Sequence, residues 1–283
     1  MPLPIITSWP DFSHVSEEDD PETERFKYTM CVAVDTDDTV FYAELPLPKA
    51  DITFEQLTSA LKPIPDDEID AGWPSTVLPC GTPSLALFAG SEDPKENKNF
   101  YIKRPRFALY DVFSRHGTRV TRLLGQNLLE EAEVMELLSR NPHPNIIKYH
   151  GCVSQCRYLT GIVLDRHSEA TIDEYLKQGR EITDKQTVMD ELESAILHLH
   201  SLGWAHNDLN PSNVMVAVDG ETGNIKPILI DFRSAKPVGE ALGTSRGTAG
   251  WIDGKIEDYT TSKKENDIFA LQKIRAWIEE TTS

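Results

Sequence analysis

His206-Asn207-Asp208-Leu209-Asn210-Pro211-Ser212-Asn213, with Leu229-Ile230-Asp231-Phe232 downstream, is the segment that decides the fold. An aspartate and an asparagine stand five residues apart on a turn-rich loop, and a second aspartate follows a short apolar run. Chemistry on a phosphate needs such a set. One carboxylate must accept or orient the proton of an attacking hydroxyl. An amide oxygen and a second carboxylate must hold the cations that bridge the phosphates. A helix-capping turn uses the same residue types, and a lone His-x-Asp would favour that reading. Leu209, Asn213 and the downstream Ile230-Asp231-Phe232, all in register, reverse the balance.

The rest of the chain sets the frame. Its 283 residues suggest about two units. Lysine and arginine number 28 against 46 aspartates and glutamates, a formal charge of −18. That balance argues against nucleic acid as a partner, because phosphate-backbone affinity depends on basic residues releasing counterions. It argues equally against an anionic membrane surface. No apolar run approaches the ~18 residues of a spanning helix, and the N-terminus lacks a secretory pattern. Cys31, Cys80, Cys152 and Cys156 are too scattered for a disulfide framework. The expected location is the cytoplasm, with the nucleus as the alternative.

Residues 1–25, proline-rich and acidic at 17–20, are expected to be a mobile leader. FKYTMCVAVDTDDTVFYAEL (26–45) predicts a hairpin around Thr36-Asp37-Asp38, and ITFEQLTSALKPI (52–64) a short helix stopped at Pro63. SLALFAG (84–90) and NFYIKRP (99–105) predict two strands. LLGQNLLEEAEVMELLSR (123–140) predicts a helix presenting Leu128, Val134, Met135 and Leu138 on one face. TGIVLDRH reads as a strand, TIDEYLKQG and 184–202 as helices, NVMVAV and PILIDF as a pair, and ENDIFALQKIRAWIEE as the last helix. The class is α+β with two lobes, the first β-rich and the second mainly helical.

The quoted loop resembles the protein-kinase catalytic loop, H-R-D-L-x-x-x-N, and Asp231-Phe232 resembles the first two residues of that family's D-F-G motif. The resemblance covers roughly residues 75–283 and is closest to short kinase-like proteins of filamentous fungi, judging by IKRP, HPNIIKYHG and HNDLNPSN. It implies Asp208 as catalytic base, Asn213 and Asp231 as Mg²⁺ ligands, and ATP as cofactor. Glu131, in the helix leading to His143-Pro144-Asn145-Ile146-Ile147, fits the glutamate that pairs with a phosphate-orienting lysine. Lys103 is the candidate lysine, since alternation sends Tyr101 and Lys103 to one face. A lysine snorkelling from an edge strand is the competing reading. Leu164-Asp165-Arg166-His167 occupies the place of the hinge, where adenine would meet backbone groups of Asp165 and His167, with Leu164 as gatekeeper and Met215 beneath the base. Leu164 and Met215 equally suit a plain core. The resemblance also implies that His206, Phe232 and Met135 pack internally and that Asp267 braces the catalytic loop. Domains follow as a leader (1–25), an extension of unknown role (26–74), a kinase N-lobe (75–165) and a short C-lobe (166–283).

Several family features are absent. No G-x-G-x-x-G precedes Lys103, and only Cys80-Gly81-Thr82-Pro83-Ser84 lies where a phosphate-covering turn would be. Asn207 replaces the arginine that receives an activation-loop phosphate, so substituting Ser234, Thr244, Ser245 and Thr248 singly should spare activity except at Thr248. Asn210 stands where Ser/Thr kinases place a lysine, and Arg233 replaces the glycine of the metal motif. Arg233 would reach a phosphate or Glu131, or lock the loop in an inactive pose. The A-P-E motif is missing, and 16 residues follow Asp267 (283 − 267), leaving no room for later helices. The leading expectation is an ATP- and Mg²⁺-dependent kinase transferring the γ-phosphate to Ser/Thr hydroxyls of a protein substrate. A pseudokinase scaffold serving a regulatory protein partner competes with it, and a small-molecule kinase of the aminoglycoside or choline type is third.

Overall fold

The structure, a computed structural model, describes residues 12–19, 26–35, 39–65, 85–107, 110, 114–155, 158–167, 170–218, 225–243 and 245–281. The chain divides into two compact units: Met1–Val77, Arg104–Leu129 and Val153–Gly161 form one, and Leu78–Lys103, Glu130–Cys152 and Ile162–Ser283 the other.

The first unit is built on a four-stranded sheet of order β1-β2-β3-β4, with β1 at Phe12–Asp19, β2 at Phe26–Val34, β3 at Val40–Leu45 and β4 at Lys62–Pro63. Strands β2 and β3 pair antiparallel from Thr29↔Leu45 to Val34↔Val40, as the hairpin reading expects; its turn residues 36–38 lie outside the described residues. The run Tyr28–Ala33 is apolar almost without alternation because both faces of the sheet are covered. Cys31, Ala33, Phe41, Ala43 and Leu45 pack on one side with Ile52, Leu57 and Leu61. Tyr28, Met30, Val32 and Val40 pack on the other with Ile64, Phe107 and Leu124. Helix α1 (Phe54–Ala60) starts in a capping box, with Gln56 N–H bonded to Thr53 Oγ1 at 3.2 Å and Thr53 N–H to Gln56 Oε1 at 2.9 Å. Two expectations change here. Residues 12–19, taken as leader, form β1 and pair with β2, and the 26–74 extension shares one compact unit with residues 104–129.

The second unit carries the three-stranded sheet β5-β7-β6 (β5 Phe100–Lys103, β6 Tyr149–Gln155, β7 Tyr158–Asp165). Strand β5 pairs antiparallel with β7, setting Lys103 opposite Ile162 and Phe100 opposite Asp165. SLALFAG does not make a full strand; Leu87 alone bridges to Cys152, held by Phe88 N–H to Cys152 O (2.9 Å) and Cys152 N–H to Ala86 O (2.8 Å). Gly151 permits that approach at φ 119°, since a Cβ there would lie 2.7 Å from the Phe88 nitrogen. Helix α2 (Thr118–Arg140) runs from the first unit into the second, and its Leu128, Val134, Met135 and Leu138 are all buried. The helical part holds α3 (Ile172–Lys177), α4 (Lys185–Ser201) and α5 (Lys264–Thr281). Helix α4 buries Val188, Met189, Leu192, Ala195, Ile196 and Leu199, a stripe at helical spacing. Small antiparallel pairs complete it: β8 (Trp204–Ala205) with β11 (Lys236–Pro237), and β9 (Val214–Val218) with β10 (Ile225–Leu229). Among the described residues no helix is long and apolar enough to cross a membrane.

Candidate active site

The loop after β8 is fixed before any reacting group appears on it. Asp267, in the first turn of α5 and fully buried, accepts the backbone N–H groups of His206 and Asn207, both at 2.8 Å, and bonds His200 Nε2 at 2.7 Å. A carboxylate taken from water needs such a set of donors. The aspartate expected to brace the loop does so. Asn207 adopts φ 61°, a left-handed conformation that asparagine tolerates better than most residues. Its amide nitrogen donates to Ala205 O, Ser234 O and Ser262 Oγ, and its amide oxygen accepts from Lys263 N–H and Asn266 Nδ2. The residue standing where the family has a phosphate-receiving arginine is therefore a buried structural hub. His206 and Phe232 meet edge to face with centroids 5.2 Å apart, and both are fully buried, as is Met135.

Asp208 emerges from this frame with both ends engaged. Its carbonyl oxygen accepts Asn213 Nδ2 at 2.8 Å and Asn210 Nδ2 at 3.0 Å, which closes the loop on itself. Its Oδ1 accepts the Thr248 hydroxyl at 2.6 Å, and Asn210 Nδ2 lies 3.3 Å from both Asp208 Oδ1 and Thr248 Oγ1. Asn210 thus makes the contacts of a donor to the carboxylate without carrying a charge. Thr248, exposed and remote in sequence, presents a hydroxyl directly to the carboxylate that an acceptor hydroxyl would use.

Lys103, Glu131 and Asp231 form the second cluster. Lys103 Nζ bridges Glu131 Oε1 at 2.6 Å and Asp231 Oδ1 at 2.9 Å, so the snorkelling alternative for this lysine does not hold. Glu131 Oε1 also accepts the Phe232 N–H at 3.0 Å, tying helix α2 to the segment after β10. Burial works against the ammonium, yet the Glu131 and Asp231 carboxylates outweigh it and hold Lys103 above its ordinary value. Complete burial raises Glu131 above the usual carboxylate range, Lys103 opposing; its Oε2 is buried with no hydrogen-bond partner. Burial would raise Asp231 as well, but Lys103 and Arg233 hold it well below the ordinary value.

Arg233 accounts for the rest of Asp231. Its Nε donates to Oδ1 at 2.8 Å and its terminal nitrogen to Oδ2 at 2.6 Å, a two-pronged fork. Asp231 itself sits at φ 61° with its side chain capping the turn Phe232–Ser234. A divalent cation shared by Asn213 and Asp231 was the expectation. Asn213 fits it, with its amide nitrogen turned to Asp208. Asp231 as arranged does not, because each of its oxygens already faces a guanidinium nitrogen and no third acidic or histidine ligand gathers there among the described residues.

A cavity of about 380 Å³ opens beside this cluster, within the usual range for a small-molecule site. Lys103, Leu164, Asp165, His167, Met215 and Asp231 all line it, so the expected cofactor residues share one wall-to-wall space. Tyr101 lines it with Lys103, as the strand alternation requires, while Ile147 and Ile230 were not singled out from sequence. At the hinge, Arg166 N–H bonds Asn99 O at 2.8 Å and the Asp165 carboxylate is taken by His150 Nε2 at 2.6 Å. Asp208 and Asn213 stand outside the lining of this cavity. Residues 80–84, the candidate phosphate-covering turn, lie outside the described residues.

The family model for the protein kinase domain matches residues 107–276, which is 170 of 283 (276 − 107 + 1). Lys103 stands just upstream of that span, so its place in the site rests on its bonds to Glu131 and Asp231. The chain is 28% identical over 190 residues to the serine/threonine-protein kinase/endoribonuclease IRE1 of Hypocrea jecorina, a match covering 62% of this chain and 13% of that protein. It is 28% identical over 152 residues to human calcium/calmodulin-dependent protein kinase type 1B, covering 53% of this chain and 43% of the relative. The solved Cydia pomonella granulovirus kinase PK-1 superposes with TM-score 0.43 and 17% identity, over 67% of this chain and 68% of that one. This chain spans less than half the length of these two curated relatives. With the family model matching well over half of its residues, the chain belongs to the protein kinase domain family.

Proposed function

We propose that this domain binds ATP in the cavity beside Lys103 and passes the terminal phosphoryl group to a serine or threonine hydroxyl of a protein. The observation that carries the proposal is the simultaneous assembly of Lys103 on Glu131 and Asp231, and of Asp208 on Asn210, Asn213 and Thr248. ATP supplies the phosphoryl group and the adenine that the hinge would hold. Lys103, kept protonated by its two carboxylates, is the donor for phosphate oxygens. Asp208 orients the incoming hydroxyl and takes its proton as that oxygen bonds to the terminal phosphorus and the bond from phosphorus to the bridging oxygen breaks, releasing ADP. The name of the Hypocrea jecorina relative, a serine/threonine-protein kinase, supports the serine/threonine preference. Asn210 in place of a cationic donor makes the transfer slow, by about 10²–10³ if one preorganised donor is lost.

The test is transfer of labelled phosphate from ATP to protein by the purified full chain, beside an Asp208→Asn variant. Wild type should incorporate label, and the variant should lose at least about 10²-fold while still binding nucleotide. A second reading, a nucleotide-binding scaffold that does not phosphorylate, is favoured by the Arg233 fork on Asp231. Nucleotide binding with no transfer above the Asp208→Asn level would establish that reading instead.

A further inference from the structure

The position after Phe232 holds an arginine, and its side chain turns back on Asp231 rather than outward. Two nearly parallel bonds, Nε to Oδ1 at 2.8 Å and the terminal nitrogen to Oδ2 at 2.6 Å, match the planar fork of a guanidinium to the carboxylate. The pair is only partly exposed, 23% for Arg233 and 19% for Asp231, so solvent screens it less than a surface contact. The charges around it decide its role. Without Arg233, the Lys103 ammonium would face the carboxylates of Glu131 and Asp231, with Asp208 adding to the field at the arginine. Such a site repels a polyanion and would need added cations to accept one. With Arg233 in place, two fixed cations stand against the two carboxylates of the cluster. A guanidinium also has more N–H donors than this fork uses, and it cannot be neutralised by deprotonation.

We infer that Arg233 serves as the built-in cation of this site, so that a nucleoside triphosphate binds here without a divalent metal ion. The inference rests on the reading that the cavity beside Lys103 takes a nucleotide, and goes beyond it by replacing the metal with a side chain. Phosphate oxygens would meet Lys103 and the outward N–H groups of Arg233, while Asp231 orients the guanidinium instead of holding an ion.

Nucleotide affinity measured with and without metal tests this. A fluorescent ATP analogue is titrated into the full chain in EDTA and in millimolar Mg²⁺, for wild type, Arg233→Gly and Arg233→Gln. Wild type should bind equally in both buffers, within about threefold, whereas both variants should weaken by about tenfold or more in EDTA and recover in Mg²⁺, since the freed Asp231 can then hold the ion. Arg233→Gln keeps a side chain at the position and guards against a folding defect in Arg233→Gly. Wild type that binds only in Mg²⁺ overturns the inference and leaves nucleotide binding intact. Variants as indifferent to Mg²⁺ as wild type overturn it too. No binding by wild type in either buffer overturns the inference together with the proposed function.

Discussion

The Thr248 hydroxyl donates a hydrogen bond to Asp208 Oδ1 at 2.6 Å and accepts one from Asn210 Nδ2 at 3.3 Å, so it sets the direction in which the carboxylate points. Removing that hydroxyl leaves the Asp208 carboxylate to the longer contacts of Asn210 at 3.3 Å and Asn213 at 3.4 Å but does not touch the cavity beside Lys103. Thr248→Ala should therefore lower kcat by about 10²-fold with little change in KM for ATP, and Thr248→Ser should restore most of the rate. Steady-state kinetics at varied ATP separates this from loss of nucleotide binding, and a raised KM with unchanged kcat would contradict the assignment. At this scale the side chains named from motif and alternation, Lys103, Glu131, Asp208, Asn213 and Asp231, fall into two hydrogen-bonded groups. The sequence did not carry Asn207 as anything but a missing arginine, because its partners (Ala205, Ser234, Ser262, Lys263, Asn266) come from separate turns. The choice among three poses for Arg233 was equally hidden, since local spacing allows all of them and only the fork on Asp231 decides.

Helix α5 matters to the site through one side chain near its start. Asp267 stitches α5 to the end of α4 through His200 and to the loop through two backbone N–H groups. Asp267→Asn turns one acceptor into a donor facing N–H groups that have no water to turn to. The expected loss is about 2–4 kcal/mol in urea unfolding, with the melting temperature down by roughly 5–10 °C. A variant within about 0.5 kcal/mol of wild type would mean that the loop is held elsewhere. Elements with strong periodicity, such as α2, α4 and the β2–β3 hairpin, stand where the sequence places them. Strand β1 could not be anticipated, because FSHVSEED carries little apolar alternation and gains its order from pairing along β2. The opposite error at 84–90 has the same origin. SLALFAG is apolar enough for a strand, yet among its described residues only Leu87 finds a bridging partner, on β6.

Among the described residues each compact unit buries one thiol, and this makes the stability of each unit measurable. Cys31 lies in the first unit's core and Cys152 on β6 in the second, both essentially inaccessible to solvent. Burial pushes each thiol up to about 11, so at pH 8 only about one in 10³ would be thiolate even where a reagent could reach it. Both should resist alkylation in the native protein and react once their surroundings open. Helix α2, β6 and β7 are each continuous elements divided between the two units. Pulsed alkylation across a urea series, read peptide by peptide, should leave Cys31 and Cys152 each unlabelled up to the cooperative unfolding transition of the unit that holds it. Labelling of either thiol at urea well below that transition would show instead that its surroundings open locally, and that its burial does not report the stability of the whole unit.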